Sequence, residues 1–103
     1  MTYDIWIERD AHDVRTKLPG NVRQRIGRLI DDLANAARPD LSKHLDTSDL
    51  DISVHTELRR IRLDKWRVVY AINDEESWVW ILAIRKRPPY DYEDLDELTA
   101  RLE

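Results

Sequence analysis

Residues 58–73, LRRIRLDKWRVVYAIN, give the clearest indication of the fold. The first part of this stretch alternates apolar and basic residues, the period-2 pattern of a half-buried strand. Its second part is rich in the β-branched and aromatic side chains that strands favour. Only Asp64 and Lys65 separate the two parts, which suits a tight turn. The stretch therefore predicts an antiparallel hairpin with strands at 58–63 and 66–73.

Further strands are predicted on both sides of this hairpin. Residues 77–85 are almost wholly apolar, as expected for a central strand covered on both faces. The turn-forming residues 73–76 connect this strand to the hairpin, so three successive strands form an antiparallel meander. Residues 3–8 alternate as well, with Tyr3, Ile5 and Ile7 on one face.

Two helices and a loop are predicted between the first strand and the hairpin. Residues 10–17 form a short helix that stops at Leu18-Pro19-Gly20, because the residue before proline avoids helical angles. Asn21 is expected to cap a second helix that ends before Arg38-Pro39. Its apolar positions follow helical spacing and are Val22, Ile26, Leu29, Ile30, Leu33 and Ala37. Most of residues 39–57 is polar and without a period, and is predicted as loop.

The last predicted element is a short acidic helix at 92–102, which follows Pro88-Pro89 and carries a stripe of leucines. The patterns together predict an α+β fold. A small antiparallel sheet of about four strands, mixed at its edge, packs against an N-terminal helical hairpin, with the short C-terminal helix added. A length of 103 residues suits one domain spanning 1–103.

Composition restricts the class of protein. Apolar residues make up 42% and charged residues 37% of the chain, a balance typical of a folded domain with a highly charged surface. The absence of cysteine excludes disulfides and thiolate metal sites. Acidic residues appear early at the N-terminus and no apolar run reaches membrane-spanning length, so a cytoplasmic protein without membrane contact is expected.

Charge is unevenly distributed along the chain. The formal net charge of −4 argues against nonspecific binding to nucleic acid. Residues 58–87, however, contain eight basic and four acidic side chains, whereas residues 88–103 contain one basic and six acidic ones. Such asymmetry indicates a basic middle segment that can meet an anionic partner.

Arginines are the strongest candidates for function. Alternation places Arg60 and Arg62 on one face of their strand, and pairing within the meander brings Arg67 and then Arg85 or Arg87 toward them. Arginine suits RNA because its planar fork binds phosphate oxygens through two hydrogen bonds and stays charged. The competing interpretation is a solvated strand face or protection of a sheet edge.

Other polar and aromatic residues give weaker signals. Tyr90 and Tyr92 follow the sheet and either stack on a nucleotide or anchor the last helix. The three histidines show no metal spacing, although His55 is an outside candidate for proton transfer. The two glycines, Gly20 and Gly27, fit no phosphate-binding loop. Strand spacing favours the core or sheet-face packing for Trp66, Tyr70, Trp78 and Trp80, with base stacking as the alternative.

The order of elements and three motifs resemble the RelE/ParE superfamily of toxins from type II toxin–antitoxin systems. The motifs are LRRIR at 58–62, WRVVY at 66–70 and IRKR at 84–87 with a tyrosine soon after. The resemblance covers nearly the whole chain and favours the RelE-like branch. RelE-like toxins are ribosome-dependent endoribonucleases that cut mRNA in the decoding site, and a cognate antitoxin protein neutralises them.

The resemblance also implies site residues. Position by position, the basic and aromatic residues of the family fall on Arg60, Arg62, Arg67, Arg87 and either Tyr90 or Tyr92. The chain departs from the family by carrying arginine where lysine is often found and Pro88-Pro89 before the tyrosine. It is also net acidic, whereas these toxins are usually basic.

The implied reaction is metal-independent cleavage of RNA by attack of a ribose 2′-hydroxyl. Arg62 and Arg67 would stabilise the phosphate, Arg87 would clamp it or assist the leaving group, and Tyr90 would stack or act as the base. Further RNA contacts are expected from Arg60, Lys65, Arg85, Lys86 and Tyr92. The expected partners are the ribosome with its mRNA and a cognate antitoxin, with no metal and no small-molecule cofactor.

A second hypothesis is a noncatalytic interaction protein of the same fold. ParE-like members of the superfamily poison DNA gyrase, and another possibility is a module retained only for binding. The antitoxin is expected to lay an amphipathic segment on the basic surface or to compete with the leucine stripe of the last helix.

Overall fold

A computed structural model describes residues 2–47 and 52–86. Its elements in chain order are β1 (Asp4–Ile7), α1 (Arg9–Thr16), α2 (Gly20–Leu33), β2 (Ser42–His44), β3 (Thr56–Leu63), β4 (Trp66–Asn73) and β5 (Trp78–Lys86). The five strands form one sheet in the order β1-β5-β4-β3-β2. β1 runs parallel to β5 and all other neighbours are antiparallel, so the sheet is mixed at one edge. The predicted α+β fold is confirmed for this part of the chain, and the predicted helix at 92–102 lies outside it.

The two helices cover one face of the sheet. Helix α2 contributes Ile26, Ile30 and Leu33, all at most 1% exposed, to a core that also contains Ile61 of β3 and Tyr70 of β4. The spacing of these helical residues puts them on one stripe, and burying each large side chain contributes about 1.5–3 kcal/mol. Among the described residues, no helix is long and apolar enough to cross a membrane.

The helix boundaries differ from those predicted. Pro19, not Asn21, occupies the N-cap of α2, with the extended angles φ −53° and ψ 145° that proline accepts, and Asn21 already lies inside the helix. The helix ends at Leu33 rather than continuing to Ala37. The backbone tightens there, since the N–H of Ala34 donates to the carbonyl of Asp31, three residues earlier.

Strand β2 was not predicted. Its three residues lie in the segment expected to be loop, and they pair antiparallel with β3 so that Lys43 lies opposite Arg60. A strand this short shows no measurable alternation, and the pairing is decided by the partner strand. The sheet therefore has five strands instead of about four.

A β-bulge in β5 changes which face its last residues occupy. Val69 lies opposite Ala83, and the next residue, Tyr70, lies opposite Ile81, so Leu82 is the additional residue. Before the bulge the odd-numbered residues of β5 face the helices, and after it the even-numbered ones do. A bulge re-aims the side chains that follow it.

Candidate nucleic-acid interface

Three arginines lie side by side on the sheet face opposite the two helices. Arg62 of β3 lies directly opposite Arg67 of β4, which lies directly opposite Arg85 of β5. We call these three residues the arginine row. Directly opposed residues project to the same face with Cβ atoms about 4.5–5.5 Å apart. Like charges so placed repel one another.

The bulge in β5 completes this row. Without the additional residue Leu82, alternation from Val79 and Ile81 would turn Arg85 toward the helices. With it, Arg85 points the same way as Arg67, and Lys86 lies opposite Trp66 on the helix-covered side. Two neighbouring basic residues of β5 are thus separated onto opposite faces of the sheet.

A second pair of basic residues adjoins the row. Arg60 lies two residues before Arg62 on β3, hence on the same face, and Lys43 of β2 is its direct neighbour. We call this side of the sheet the arginine face. Among the strand residues that the structure describes, register places only one carboxylate on this face, that of Asp4 at the far edge. The described strands therefore contribute mainly positive charge to this face around the row.

Burial differs among these basic residues. Arg67 is 3% exposed and Arg60 is 7% exposed, whereas Arg62 is exposed and Arg85 is half-buried. A guanidinium held away from bulk water interacts more strongly with a phosphate, because the local dielectric constant is lower. The arrangement can bind a phosphodiester at the exposed Arg62, with Arg67 directly opposite it on β4.

Arg59 has a structural role instead. It lies on the helix side of β3, where its Nε donates to Ser42 Oγ at 2.8 Å and its guanidinium pairs with Glu57 at 2.6 Å. Glu57 also pairs with Arg38, which bonds Asp74 at 2.7 Å. These contacts join β2, β3 and the β4–β5 turn at the end of β3 far from Arg62.

The ion pairs of this network shift the pKa of its carboxyls. Hydrogen bonds from Arg38 and then Tyr3 hold the pKa of Asp74 below its ordinary value. Burial acts to raise the pKa of Glu57, but hydrogen bonds from Arg59 and Arg38 outweigh it and lower the pKa. Both carboxylates are therefore stabilised in their charged form.

The structure separates several of the other predicted site residues from the row. Lys65 is exposed in the β3–β4 turn, next to Asp64, which adopts a positive φ of 54° and pairs with Arg25 at 2.7 Å. Lys86 is on the opposite face. The predicted residues Arg87, Tyr90 and Tyr92 lie outside the described residues. Lys43, which sequence reasoning did not identify, lies beside Arg60, and its segment gave no pattern from which to predict it.

His55 lies away from the arginine row. It precedes β3 at the end opposite Arg62, and its Nε2 lies 2.9 Å from Glu75 Oε2. With a rise of about 3.3 Å per residue, the length of β3 puts it roughly 20 Å from Arg62. This distance makes it unsuited to proton transfer at a phosphate bound to the row.

Three tryptophans occupy another part of the arginine face. Trp6 of β1 lies opposite Trp80 of β5 with ring centroids 6.4 Å apart, and Trp78 meets Trp80 edge to face at 5.8 Å. We call them the tryptophan cluster. Trp78 and Trp80 pack against Leu58 and Leu82, which confirms sheet-face packing for both.

The sequence was compared with known families and proteins. It matches the family model described as ParE toxin of type II toxin-antitoxin system, parDE, over residues 7–88. The comparison with curated proteins gives no match. The match is to the ParE branch, whereas the resemblance of the motifs favours the RelE-like branch.

Solved structures with the same fold include RelE toxins and their complexes. Archaeal RelE from a RelE–RelB complex of Pyrococcus horikoshii OT3 is 24% identical with a TM-score of 0.73, covering 85% of this chain and 98% of that chain. The toxin–antitoxin complex RelBE2 of Mycobacterium tuberculosis gives 22% identity and a TM-score of 0.66, covering 84% and 100%. Isolated E. coli RelE gives 20% identity and a TM-score of 0.61, covering 98% and 99%.

At these identities the solved structures show the fold alone, whereas the family match shows the protein family. The predicted superfamily is confirmed by the family match, and the solved structures confirm the fold. The chain belongs to the ParE toxin family of type II toxin–antitoxin systems, within the RelE/ParE superfamily.

Proposed function

We propose that this toxin is a ribosome-dependent endoribonuclease that cleaves mRNA, with the arginine row binding the scissile phosphate. The observation that carries the proposal is the direct opposition of Arg62, Arg67 and Arg85 across three strands. Three fixed positive charges on one small patch suit a group whose negative charge increases during the reaction.

The reaction divides into three tasks. The ribose 2′-oxygen loses its proton and bonds to phosphorus, the 5′-oxygen leaves with a proton, and the phosphorus carries added negative charge between these events. Guanidinium groups serve the middle task, so Arg62 and Arg67 stabilise the phosphate without needing a metal ion. Arg60 and Arg85 bind the neighbouring backbone.

Proton transfer needs groups other than arginine, which is a poor base. The sequence assigns this task to Tyr90 and assigns the leaving-group side to Arg87. In the proposal these two roles, and RNA contacts by Lys65 and Tyr92, remain predictions from the resemblance. Lys86, which lies opposite Trp66 on the helix-covered side of the sheet, is left out of the proposed RNA contacts. Because no strong base belongs to the row, correct placement of the 2′-hydroxyl by the ribosome supplies much of the acceleration.

A cognate antitoxin is the second expected partner. The RelE structures with RelB are complexes of a toxin with its antitoxin, and we infer a similar partner for this chain. An amphipathic, acidic segment would suit the arginine face. An apolar groove of about 600 Å³ between α2 and β3, with Leu29, Leu33, Leu41, Ile61 and Leu63 in its lining, offers a second docking place.

The second candidate function is poisoning of DNA gyrase, favoured by the match to the ParE family model. In that case the arginine face would contact gyrase or its DNA and no bond would be broken by the toxin. Induced expression distinguishes the two functions. The nuclease would cause loss of mRNA and translation, whereas the gyrase poison would cause DNA damage signalling with intact mRNA.

The test is induced expression with primer-extension mapping of transcripts. New 5′ ends in translated mRNA, absent when ribosomes are kept off the message, are expected for the native toxin. Arg62→Ala removes an exposed phosphate ligand and should reduce cleavage about 100-fold or more. The matched control is Lys86→Ala, which removes a charge from the opposite face of β5 and should cleave normally. Intact transcripts during growth arrest would refute the nuclease function.

A further inference from the structure

We propose that the tryptophan cluster is a stacking platform for the bases of single-stranded RNA whose phosphates lie on the arginine row. The inference rests on the proposed function and adds to it a base-binding subsite of this chain. It is built from Trp6, Trp78 and Trp80, which the cleavage chemistry does not use.

The cluster presents one aromatic side chain to solvent while holding it in place. Trp6 is 57% exposed on edge strand β1, and Trp80 lies beside it at a tilt of 38°. Trp80 is held by the edge of Trp78, whose Nε1 donates to Glu76 Oε2 at 2.9 Å. A large apolar ring that stays exposed but has a fixed neighbour is suited to stack a planar ligand.

The cluster and the arginine row share one face and one strand. Arg85 and Trp80 both lie on β5 and both point away from the helices. Arg85 lies five positions after Trp80, which is about 15 Å of extended strand. Such a distance is spanned by a few nucleotides, so one RNA strand can engage both places.

Charge and aromatic rings together favour single-stranded RNA as the occupant of this face, because an acidic protein segment would match the charge alone. A strand that stacks on Trp6 leads toward Arg85 and Arg67. Register places one carboxylate among the described strand residues of this face, that of Asp4. Outside the strands, Glu76 accepts from Trp78, and Glu8, whose N–H donates to the carbonyl of Ile81, continues the alternation of β1. Single-strand binding surfaces combine a basic track for the backbone with aromatic rings for the bases, and the two features lie here side by side.

The experiment measures binding of a short, unstructured, end-labelled single-stranded RNA to the full chain by fluorescence anisotropy. Trp6→Ala should weaken binding about fivefold or more, and Trp6→Phe should weaken it less. The matched control is Trp66→Phe, because Trp66 packs on the helix side of the sheet. Circular dichroism and thermal unfolding establish that each variant is folded.

A second RNA with abasic sites separates stacking from a change in fold. Native protein should lose affinity for the abasic RNA, and Trp6→Ala should bind both RNAs equally. The salt dependence of binding should be the same in Trp6→Ala as in native protein, because no phosphate contact is removed.

Each of the other outcomes contradicts either the stacking subsite alone or the proposed function with it. If Trp6→Ala binds like native protein while Arg62→Ala binds more weakly, the stacking subsite is wrong and the proposed function stands. If neither change weakens binding, the arginine face does not bind RNA and the proposed function fails with the subsite. Equal losses on normal and abasic RNA, or a loss only of antitoxin binding, would overturn the stacking proposal.

Discussion

Replacing Tyr70 by phenylalanine removes a single oxygen atom from the centre of the molecule. Tyr70 is fully buried on β4, and its hydroxyl donates to the backbone carbonyl of Ala37 at 2.8 Å. Ala37 is itself only 4% exposed, so its carbonyl gains little from bulk water when the donor is lost. A buried polar group left without its partner costs about 1–3 kcal/mol. We expect Tyr70→Phe to lower the free energy of unfolding by about 1.5 kcal/mol.

The measurement is urea and thermal unfolding at neutral pH. For a domain of this size, 1 kcal/mol corresponds to a shift of about 4–8 °C in the melting temperature. The matched control is Tyr3→Phe, which makes the same chemical change to a hydroxyl that donates to the exposed carboxylate of Asp74. Water replaces that bond, so a loss of about 0.5 kcal/mol or less is expected.

Alkaline pH provides a second readout of the same hydroxyl. Burial raises the pKa of Tyr70 above its ordinary value of 10.0. The folded state therefore holds this proton more tightly than the unfolded state, and stability present below pH 10 is lost as the pH rises further. In Tyr70→Phe the free energy of unfolding should fall less steeply as the pH rises above 10. Equal destabilisation by both tyrosine changes, or none in Tyr70→Phe, would refute the reasoning from burial.

Two further predictions concern charge. For binding of single-stranded RNA, Arg62→Ala should reduce the slope of log K against log salt by about 0.7, whereas Lys86→Ala leaves it unchanged; equal effects of the two would contradict the assignment of faces. Hydrogen bonds from Arg38, and then from Tyr3, lower the pKa of Asp74. The stabilisation contributed by the ionised Asp74 carboxylate is therefore present above the unfolded-state pKa of 3.8 and is lost as the pH falls below it. In Asp74→Asn the urea concentration at the unfolding midpoint should depend less on pH on the acid side. An unchanged pH dependence would exclude this carboxylate as the source of the acid sensitivity.

The strands with a clear period were predictable from the sequence. Alternation at residues 3–8 placed Tyr3, Ile5 and Ile7 against the core, as the structure confirms. The hairpin of β3 and β4 was predicted as well, with Asp64 and Lys65 in its turn. In these strands the side-chain pattern itself decides which face is buried, so the pattern is visible in one sequence.

The arginine row could be predicted only in part. The shared face of Arg60 and Arg62 follows from alternation within one strand, and Arg67 follows from the two-residue turn. Arg85 depends on the bulge at Leu82, which leaves no mark in the apolar run of β5. Its position is decided by how β5 fits against β4, a tertiary effect that local periodicity does not contain.

The parallel pairing of β1 with β5 governs when this toxin can be assembled during synthesis. Asp4 lies opposite Trp78 in the sheet. Strand β1 therefore cannot pair until β5, the last of the described strands, has been synthesised. The helical hairpin is local and can form early, but closing so long a loop comes late in folding. Arg85 lies on β5 as well. A nascent chain therefore carries no complete arginine row until β5 has been synthesised.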